Sequence, residues 1–320
     1  MASAPAPAPA VVVVFDFDRT IIDWDSDDWV ITKLGAADAF RRLRPTMRWN
    51  PLMVTFMPTT RLLSSSGNLP PGSSPGGGEV EDVRRVDSAI SVCLLFQDRM
   101  MAELHARGKT PEDIRDCLRS APLDAHVVSA VKTAAAALGC DLKVVSDANT
   151  FFIETVLAHH GVLGCFSEIV TNPATVDADG RLRISPFHDS AAAPHGCSLC
   201  PDNMCKGKII ERIQATASDK KQHFIYIGDG KGDYCPSLKL GEGDYVMPKE
   251  NYPLWNLICN NKQLLKAEVH PWNSGEELEK TLLKLVSKMI AAPAQASQFD
   301  YSKCEMSNPA IQHPALRVPH

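Results

Sequence analysis

The hydrophobic pattern of the chain predicts short buried strands that alternate with amphipathic helices. Residues 11–15 form a continuous β-branched and aromatic run, which is too short to cross a membrane and is typical of a strand buried on both faces of a parallel sheet. Further short apolar runs at 142–146, 168–171 and 224–227 each border a segment of helical periodicity. This alternation predicts an α/β fold with a doubly wound parallel sheet.

A mainly helical region interrupts the alternation after the first strand. Its helices have clear start signals, such as Thr110 before Pro111, and Asp124 before an Ala-rich run, because Thr and Asp cap helix N-termini and Pro favours the first turn. We therefore expect a helical cap inserted into a catalytic core. The predicted division is a flexible leader at 1–10, a core of 11–22 and 141–290, a cap of 23–140, and a flexible tail at 291–320.

One part of the predicted cap has an unusual composition. The stretch 64–78 is rich in Ser, Gly and Pro and has too few apolar groups to offset the entropy cost of ordering it. We expect an insert at 54–97 that is largely disordered and projects from the cap. It opens with Val and closes with Gln, whose codons can supply the GT and AG that bound an intron. An intron retained in frame is therefore one hypothesis, and a genuine cap loop is the alternative.

Composition and charge narrow the range of partners. With 320 residues and 44% apolar content, the chain can bury one large core or two modest ones. Its net charge of -5 and its lack of a long basic block give no electrostatic reason to expect nucleic acid or a membrane as a partner. Ten cysteines without a secretory signal favour reduced thiols and a cytoplasmic location. The sequence leaves the oligomeric state open.

The first predicted strand ends in two acidic residues. Asp16 and Asp18 are separated by a single residue, so both carboxylates can enter one crevice at the carboxyl end of the strand, where ligands of open α/β sheets usually bind. Carboxylates this close repel each other unless a divalent cation lies between them or one takes up a proton. One of the two can then act as a nucleophile and the other as a proton donor and acceptor.

Three more polar features lie at predicted strand ends or helix starts. They are Ser146 with Asp147, Lys206 at a helix start, and Asp229 with Asp233 in a Gly-rich loop. Each alone is weak evidence, since a lysine at a helix start is usually a solvated side chain and a serine after a strand is usually a helix cap. Together with the acid pair, and in this order, they resemble the haloacid dehalogenase superfamily of aspartate-nucleophile phosphatases.

Longer strings extend the resemblance to the phosphoethanolamine/phosphocholine phosphatase family, and especially to its plant branch. These strings lie at 15–20, 25–27, 146–149, 197–201, 203–207, 228–230 and 233–236. The resemblance implies a Mg²⁺-dependent phosphomonoesterase that acts on a small phosphorylated amino alcohol, phosphoethanolamine or phosphocholine. Related members are described as pyrophosphatases or as thiamine or pyridoxal phosphate phosphatases, and these are the alternative activities. The intact set of acids, serine and lysine argues against a catalytically idle scaffold.

The resemblance also implies a role for each site residue. Asp16 would attack phosphorus and carry a phospho-aspartyl intermediate, while Asp18 would protonate the leaving alkoxide and then activate water. Mg²⁺ would bind to Asp16, to the backbone carbonyl of Asp18 and to Asp229. Thr20, Ser146 and Lys206 would contact phosphoryl oxygens. Asp233 would support the metal site or pair with Lys206.

Two further acids bear on the choice of substrate. By the same resemblance, Asp27 and Asp147 would lie where a cationic choline or ethanolamine head group binds, and two carboxylates there would disfavour an anionic leaving group. Asp27 is equally well explained as an acid that responds to a helix dipole. Trp24 and Trp29 either offer an aromatic face to a quaternary ammonium or belong to the hydrophobic core of the cap.

A group of cysteines precedes the candidate active-site lysine. Cys197, Cys200 and Cys205 have partial metal-ligand spacing, with His188 and His195 nearby. A C-x-x-C pair with a third cysteine suggests zinc, but the second C-x-x-C of many zinc sites is missing. The alternative is a set of thiols in a loop that orders the lysine.

Overall fold

The structure is a computed structural model that describes four parts of the chain, namely residues 11–43, 92–188, 195–216 and 222–296. The predicted leader, most of the predicted insert and most of the predicted tail lie outside these residues.

Six parallel strands form the central sheet. They are β1 (Val11–Phe15), β2 (Asp141–Asn149), β3 (Phe166–Asn172), β6 (His223–Gly228), β7 (Tyr245–Pro248) and β8 (Glu268–Val269). Strand β1 lies in the middle, between β2 and β6, and the order across the sheet is β3-β2-β1-β6-β7-β8. This arrangement confirms the predicted α/β fold with a doubly wound parallel sheet.

Helices cover both faces of the sheet. Side chains of β1 alternate between two hydrophobic cores, with Val11, Val13 and Phe15 in the first and Val12 and Val14 in the second. Because both faces are buried, every position of the strand is apolar. The first core includes residues of α6 (Thr150–His159) and α10 (Gly275–Ala296), and the second includes residues of α7 (Lys206–Ala215) and α9 (Pro253–Asn260).

Between the first two strands, the described chain is mainly helical. Thr110 caps α4 (Pro111–Arg119) through a capping box, as its sequence predicts. Asp124 caps α5 (Ala125–Lys132), which packs beside α10 with His126 Nδ1 2.7 Å from Glu279 Oε2. This helix therefore lies with those that cover the sheet, although it falls in the range predicted for the cap. The helices before it are α1 (Ser26–Lys33), α2 (Ala37–Leu43), α3 (Val92–Ala106) and α4 (Pro111–Arg119).

The end of the predicted insert is helical. Helix α3 begins at Val92, and both Phe96 and Gln97 are buried. The ring of Phe96 packs edge-on against Phe40 of α2, with ring centroids 5.1 Å apart. The prediction of disorder is therefore wrong for 92–97, because this short apolar stretch packs against α2. Similarly, α10 continues to Ala296, so the predicted tail begins too early.

A short hairpin leaves the sheet after β3. Its strands are β4 (Ala174–Val176) and β5 (Leu182–Ile184), which are antiparallel and flank a turn at 177–180, closed by a hydrogen bond from the N–H of Gly180 to the carbonyl of Asp177. Asp98 of α3 forms ion pairs with Arg181 at 2.6 Å and with Arg183 at 2.9 Å, so these charge pairs join the hairpin to the helical region. Within the described residues, no helix is both long and apolar enough to cross a membrane.

Candidate active site

The carboxyl ends of β1, β2 and β6 meet at one edge of the sheet. Asp16 directly follows β1 and Asp229 directly follows β6. The backbone N–H of Asp16 donates to the carbonyl of Ile227 at 2.9 Å, so strand pairing continues up to the acidic residue. Ser146 and Asp147 lie near the end of β2. Parallel pairing therefore collects polar residues from three distant parts of the sequence at one edge of the sheet.

A tight turn at Phe17–Ile21 carries the second acid. Asp18 has an extended conformation, with φ -63° and ψ 134°, and Arg19 has a left-handed φ of 56°, which costs about 1–3 kcal/mol for a residue other than glycine. The carbonyl of Arg19 accepts a hydrogen bond from the buried Nζ of Lys249 at 3.0 Å. The N–H of Arg19 donates to the carbonyl of Trp24 at 3.0 Å. These contacts hold the strained turn in place.

Asp16 is buried beside a lysine. Its Oδ1 accepts a hydrogen bond from the N–H of Phe17 at 2.7 Å and lies 2.9 Å from Nζ of Lys206. Both contacts fall on Oδ1, which leaves Oδ2 without a hydrogen bond to any described residue. Burial, followed by the charge of Asp233, raises the pKa of Asp16 to about 7 against the opposing effect of Lys206. One carboxylate oxygen is therefore fixed and the other remains available for chemistry.

Asp18 lies in an environment that favours a protonated carboxyl group. Its Oδ1 accepts from the N–H of Ser26 at 2.8 Å, and its Oδ2 lies 3.1 Å from the Ser26 hydroxyl. Burial raises the pKa of Asp18 well above its ordinary value, and the charges of Asp25 and Asp27 raise it further. A carboxyl group whose pKa is raised holds its proton more readily, so it can act as a general acid.

A buried ion pair positions the candidate lysine. Nζ of Lys206 lies 2.8 Å from Oδ1 of Asp233 as well as 2.9 Å from Asp16. Burial alone would lower the pKa of Lys206, but the charges of Asp16 and Asp233 raise it well above its ordinary value, so the ammonium keeps its charge. Asp233 also accepts hydrogen bonds from the Tyr226 hydroxyl at 2.7 Å, the Asp229 N–H at 3.1 Å and the Gly230 N–H at 2.8 Å.

Three buried carboxylates form a possible cation site. One oxygen from each of Asp16, Asp229 and Asp233 lies within 4.8 Å of the other two. Burial, followed by the charges of Asp16 and Asp233, raises the pKa of Asp229 well above its ordinary value. The donor set consists of carboxylate oxygens and fits a hard divalent cation, which would relieve this repulsion. Because Asp233 is already held by four donors, Asp16 and Asp229 are the better ligands.

Two hydroxyl groups complete the set of predicted phosphate contacts. Thr20 is buried, and its Oγ1 donates to Oδ1 of Asp229 at 3.5 Å. Ser146 is fully buried, and its Oγ accepts from the N–H of Ala148 at 3.3 Å. Both side chains therefore belong to this end of the sheet.

A second group of acids, Asp25, Asp27 and Asp147, lies beside the first; we refer to it as the acidic wall. Gln97 Nε2 donates to Oδ2 of Asp27 at 2.8 Å and to the backbone carbonyl of Asp147 at 3.4 Å, so it joins two parts of the wall. Burial, followed by the charge of Asp25, raises the pKa of Asp27 to about 8. Oδ1 of Asp27 is buried and has no hydrogen-bond partner among the described residues. The charge of Asp147 also raises the pKa of Asp16, which connects the wall to the candidate nucleophile.

The two tryptophans near the wall are held by backbone carbonyls of the helical region between β1 and β2. Nε1 of Trp24 donates to the carbonyl of Pro122 at 2.9 Å, and Nε1 of Trp29 donates to the carbonyl of Cys117 at 3.2 Å. Both rings pack against the first hydrophobic core. These contacts favour the structural interpretation of both residues.

Several site residues escape sequence reasoning. Asp25 lies in the family-like string 25–27, but its position is typical of a helix N-cap, and it does cap α1. Gln97 falls in the segment expected to be disordered, and neither Tyr226 nor Lys249 has a motif. Cys235 lies in the family-like string 233–236, but nothing in the sequence links it to Cys197, Cys200 and Cys205, whose thiols lie beside it in the structure.

Comparison with known proteins identifies a family for the chain. The family model described as Putative Phosphatase matches residues 11–66 and 80–286. The chain is 45% identical to a thiamine phosphate phosphatase-like protein of Arabidopsis thaliana over 85% of its own length and 93% of that protein. It is 43% identical to inorganic pyrophosphatase 2 of the same plant, covering 95% of this chain and 94% of that one.

More distant similarities extend to animals and bacteria. The human phosphoethanolamine/phosphocholine phosphatase is 31% identical over 57% of this chain and 70% of that protein. A haloacid dehalogenase family hydrolase from Salmonella enterica serovar Typhi superposes with a TM-score of 0.51 at 14% identity, covering 87% of this chain and 72% of that one, and so supports the fold. The chain therefore belongs to the Putative Phosphatase family, and it is a phosphatase built on the haloacid dehalogenase fold.

Proposed function

We propose that this phosphatase hydrolyses phosphoethanolamine and phosphocholine to the amino alcohol and phosphate, through a phospho-aspartyl intermediate on Asp16. The observation that carries the choice of substrate is the acidic wall beside Asp16. Its member Asp27 has a buried carboxylate oxygen without a hydrogen-bond partner among the described residues. An ammonium head group would supply the missing positive charge, and phosphoethanolamine would also supply an N–H donor.

In the first half-reaction, Oδ2 of Asp16 attacks phosphorus and the bond from phosphorus to the substrate's alkoxide oxygen breaks. The raised pKa of Asp18, caused first by burial, lets this carboxyl hold the proton that it then gives to the departing alkoxide. Amino alcohol leaves, and the phosphoryl group remains on Asp16 as an acyl phosphate. Covalent catalysis divides one difficult displacement into two easier ones.

In the second half-reaction, the ionised Asp18 accepts a proton from water. The water oxygen attacks phosphorus, the acyl phosphate bond breaks, and Asp16 leaves as a carboxylate. Phosphate departs, Asp18 is again protonated, and the site returns to its starting state. One carboxyl group thus serves as acid and then as base.

Three side chains would hold the phosphoryl group. Lys206 keeps its charge and lies 2.9 Å from Asp16, where a cation neutralises charge that develops on phosphoryl oxygens. Thr20 and Ser146 offer hydroxyl groups near the same strand ends. Asp233 positions Lys206 through their 2.8 Å ion pair.

We further propose Mg²⁺ as the cofactor. The carboxylates of Asp16 and Asp229 offer the hard oxygen ligands that Mg²⁺ prefers, with the Asp18 carbonyl as the third protein ligand that the resemblance implies. When bound, Mg²⁺ would neutralise phosphoryl charge and lower the pKa of the crowded carboxylates.

The second candidate substrates are pyrophosphate and the phosphates of thiamine and pyridoxal. Relatives at 43% and 45% identity are named for pyrophosphate and thiamine phosphate. Thiamine carries a cationic ring that the acidic wall would also attract. For pyrophosphate, the half-exposed Arg19, 3.9 Å from Asp25, would have to neutralise the second phosphate beside the wall's negative charge.

We also propose a cytoplasmic location. The eight cysteines whose side chains the structure describes are free thiols, as is usual in a reducing compartment.

A substrate panel tests the proposed function. The purified chain with Mg²⁺ is assayed for kcat/KM on phosphoethanolamine, phosphocholine, thiamine phosphate, pyridoxal phosphate and pyrophosphate. We expect the two amine phosphates to lead. A higher kcat/KM for pyrophosphate would reject the proposed substrate class in favour of the second candidate.

A further inference from the structure

Four cysteine thiols converge beside the helix that begins at Lys206. Cys197, Cys200 and Cys205 come from the segment before α7, and Cys235 comes from α8 (Tyr234–Ser237). Their Sγ atoms all lie within 4.8 Å of one another. Cys235 Sγ is 3.6 Å from that of Cys197 and 4.0 Å from that of Cys205.

These separations fit the corners of a metal tetrahedron. A zinc ion with four thiolates at about 2.3 Å places neighbouring sulfurs about 3.8 Å apart by simple tetrahedral geometry. Disulfide sulfurs lie at about 2.05 Å, and all four cysteines are free. We propose that Cys197, Cys200, Cys205 and Cys235 form a structural Zn²⁺ site.

The loop that carries three of these ligands is ordered by His195. This buried side chain accepts from the N–H of Cys197 through Nδ1 at 3.0 Å and donates from Nε2 to the carbonyl of Pro201 at 2.9 Å. Both ring nitrogens are therefore in use, and His195 supports the loop rather than binding the metal. Such supporting hydrogen bonds commonly fix the first ligands of a metal site.

The surroundings of the sulfurs also favour thiolates bound to a cation. Sγ of Cys205 accepts from the N–H of Lys208 at 3.4 Å, at the N-terminus of α7, where the helix dipole favours negative charge. A Cβ at Gly207 would lie 2.4 Å from Sγ of Cys235, so this position is kept free of a side chain by the close approach of α8. Several thiolates this close together require a positive ion between them.

The site would join two segments that the phosphatase needs at a fixed distance. Cys205 immediately precedes Lys206, and Cys235 follows Asp233 by two residues. Lys206 and Asp233 form the 2.8 Å ion pair beside Asp16. Four protein ligands leave no open position for a substrate, as is usual for structural zinc, so this metal would hold the scaffold and take no part in phosphoryl transfer.

The test is the metal content of the full chain, purified under reducing conditions without chelators. We expect about one zinc per chain by elemental analysis and native mass spectrometry. Iodoacetamide should label half-buried Cys165 and Cys259 before the four ligands, and an organomercurial should release zinc and expose them. This readout is independent of turnover, so it does not depend on the proposed substrate.

Variants locate the ion. Cys200→Ser and Cys235→Ser should lose most of the bound zinc and unfold at lower temperature, whereas the matched control Cys259→Ser should keep it. Cys200→His, which restores a ligand, should retain zinc even if the serine variants fail to fold. Three results would each overturn the proposal. They are a purified chain that lacks zinc and binds none when zinc is added, iron in place of zinc, and a disulfide between Cys197 and Cys235 in the reduced preparation.

Discussion

Replacing Asp27 with asparagine should selectively weaken turnover of cationic substrates. The substitution is nearly isosteric, and the asparagine oxygen can still accept from Gln97, which donates to Oδ2 of Asp27 at 2.8 Å. It removes the negative charge on an oxygen that is buried without a partner among the described residues. A lost charged hydrogen bond is worth about 1.5–3 kcal/mol, so kcat/KM for phosphoethanolamine should fall roughly tenfold to 150-fold.

The size of this effect should depend on pH. Burial, followed by the charge of Asp25, raises the pKa of Asp27 to about 8, so its carboxylate is the minor form below pH 8 and the major form above it. Substrate attraction by this group therefore increases as pH rises through about 8. Phosphocholine is the suitable probe because its quaternary ammonium keeps its charge throughout. The ratio of its kcat/KM to that of p-nitrophenyl phosphate should increase more with pH in the wild type than in Asp27→Asn.

The assay compares steady-state kinetics on the two substrates between pH 6.5 and about 9 for three proteins. Asp28→Asn is the matched control, since Asp28 is the next residue of α1 and is exposed. It should keep the preference for phosphocholine, and because the charge of Asp28 helps to raise the pKa of Asp27, it should move the increase in the ratio to slightly lower pH. If Asp27→Asn reduced kcat/KM for p-nitrophenyl phosphate as strongly as for phosphocholine, the acidic wall would have a structural role and the argument for cationic substrates would fail.

Two other changes test the remaining parts of the account. Asp18→Asn should reduce phosphocholine hydrolysis by about 10²–10⁴-fold, the usual contribution of general acid catalysis. The variant should form the intermediate more readily from p-nitrophenyl phosphate than from phosphocholine, because the nitrophenol leaving group needs little protonation. Equal losses in the single-turnover rates on the two substrates would refute the acid role. Deleting 54–91 should keep activity and thermal stability. Deleting 54–97 also removes Phe96 and Gln97, which are buried, and should therefore lower the melting temperature. A 54–91 deletion that fails to fold, together with transcripts spliced consistently to include these codons, would instead indicate a genuine cap loop.

The sequence predicts best what depends on pattern and order. The apolar run before Asp16 predicts a central strand because both of its faces are covered. The start of α4 follows from Thr110 and Pro111 because caps act locally. Polar residues at strand ends can be expected to meet, since parallel strands share one carboxyl edge.

Contacts between residues that lie far apart in the sequence cannot be predicted from local patterns. Gln97 ends the segment predicted to be largely disordered and still reaches Asp27, a contact that depends on how α3 packs rather than on composition. Lys249 supports the carbonyl of Arg19 from 230 residues away, without any local motif. Cys235 completes the cysteine group only because α8 approaches α7 closely at Gly207.

The central claim is that Asp16 accepts the phosphoryl group of an amine phosphate. The most direct measurement is rapid quenching of the enzyme with Mg²⁺ and radiolabelled phosphocholine, followed by peptide mapping of the labelled protein. The account predicts one hydroxylamine-sensitive phosphoryl group on Asp16, formed before phosphate is released, and no label in Asp16→Asn. Turnover without protein labelling, or label on a different residue, would contradict it.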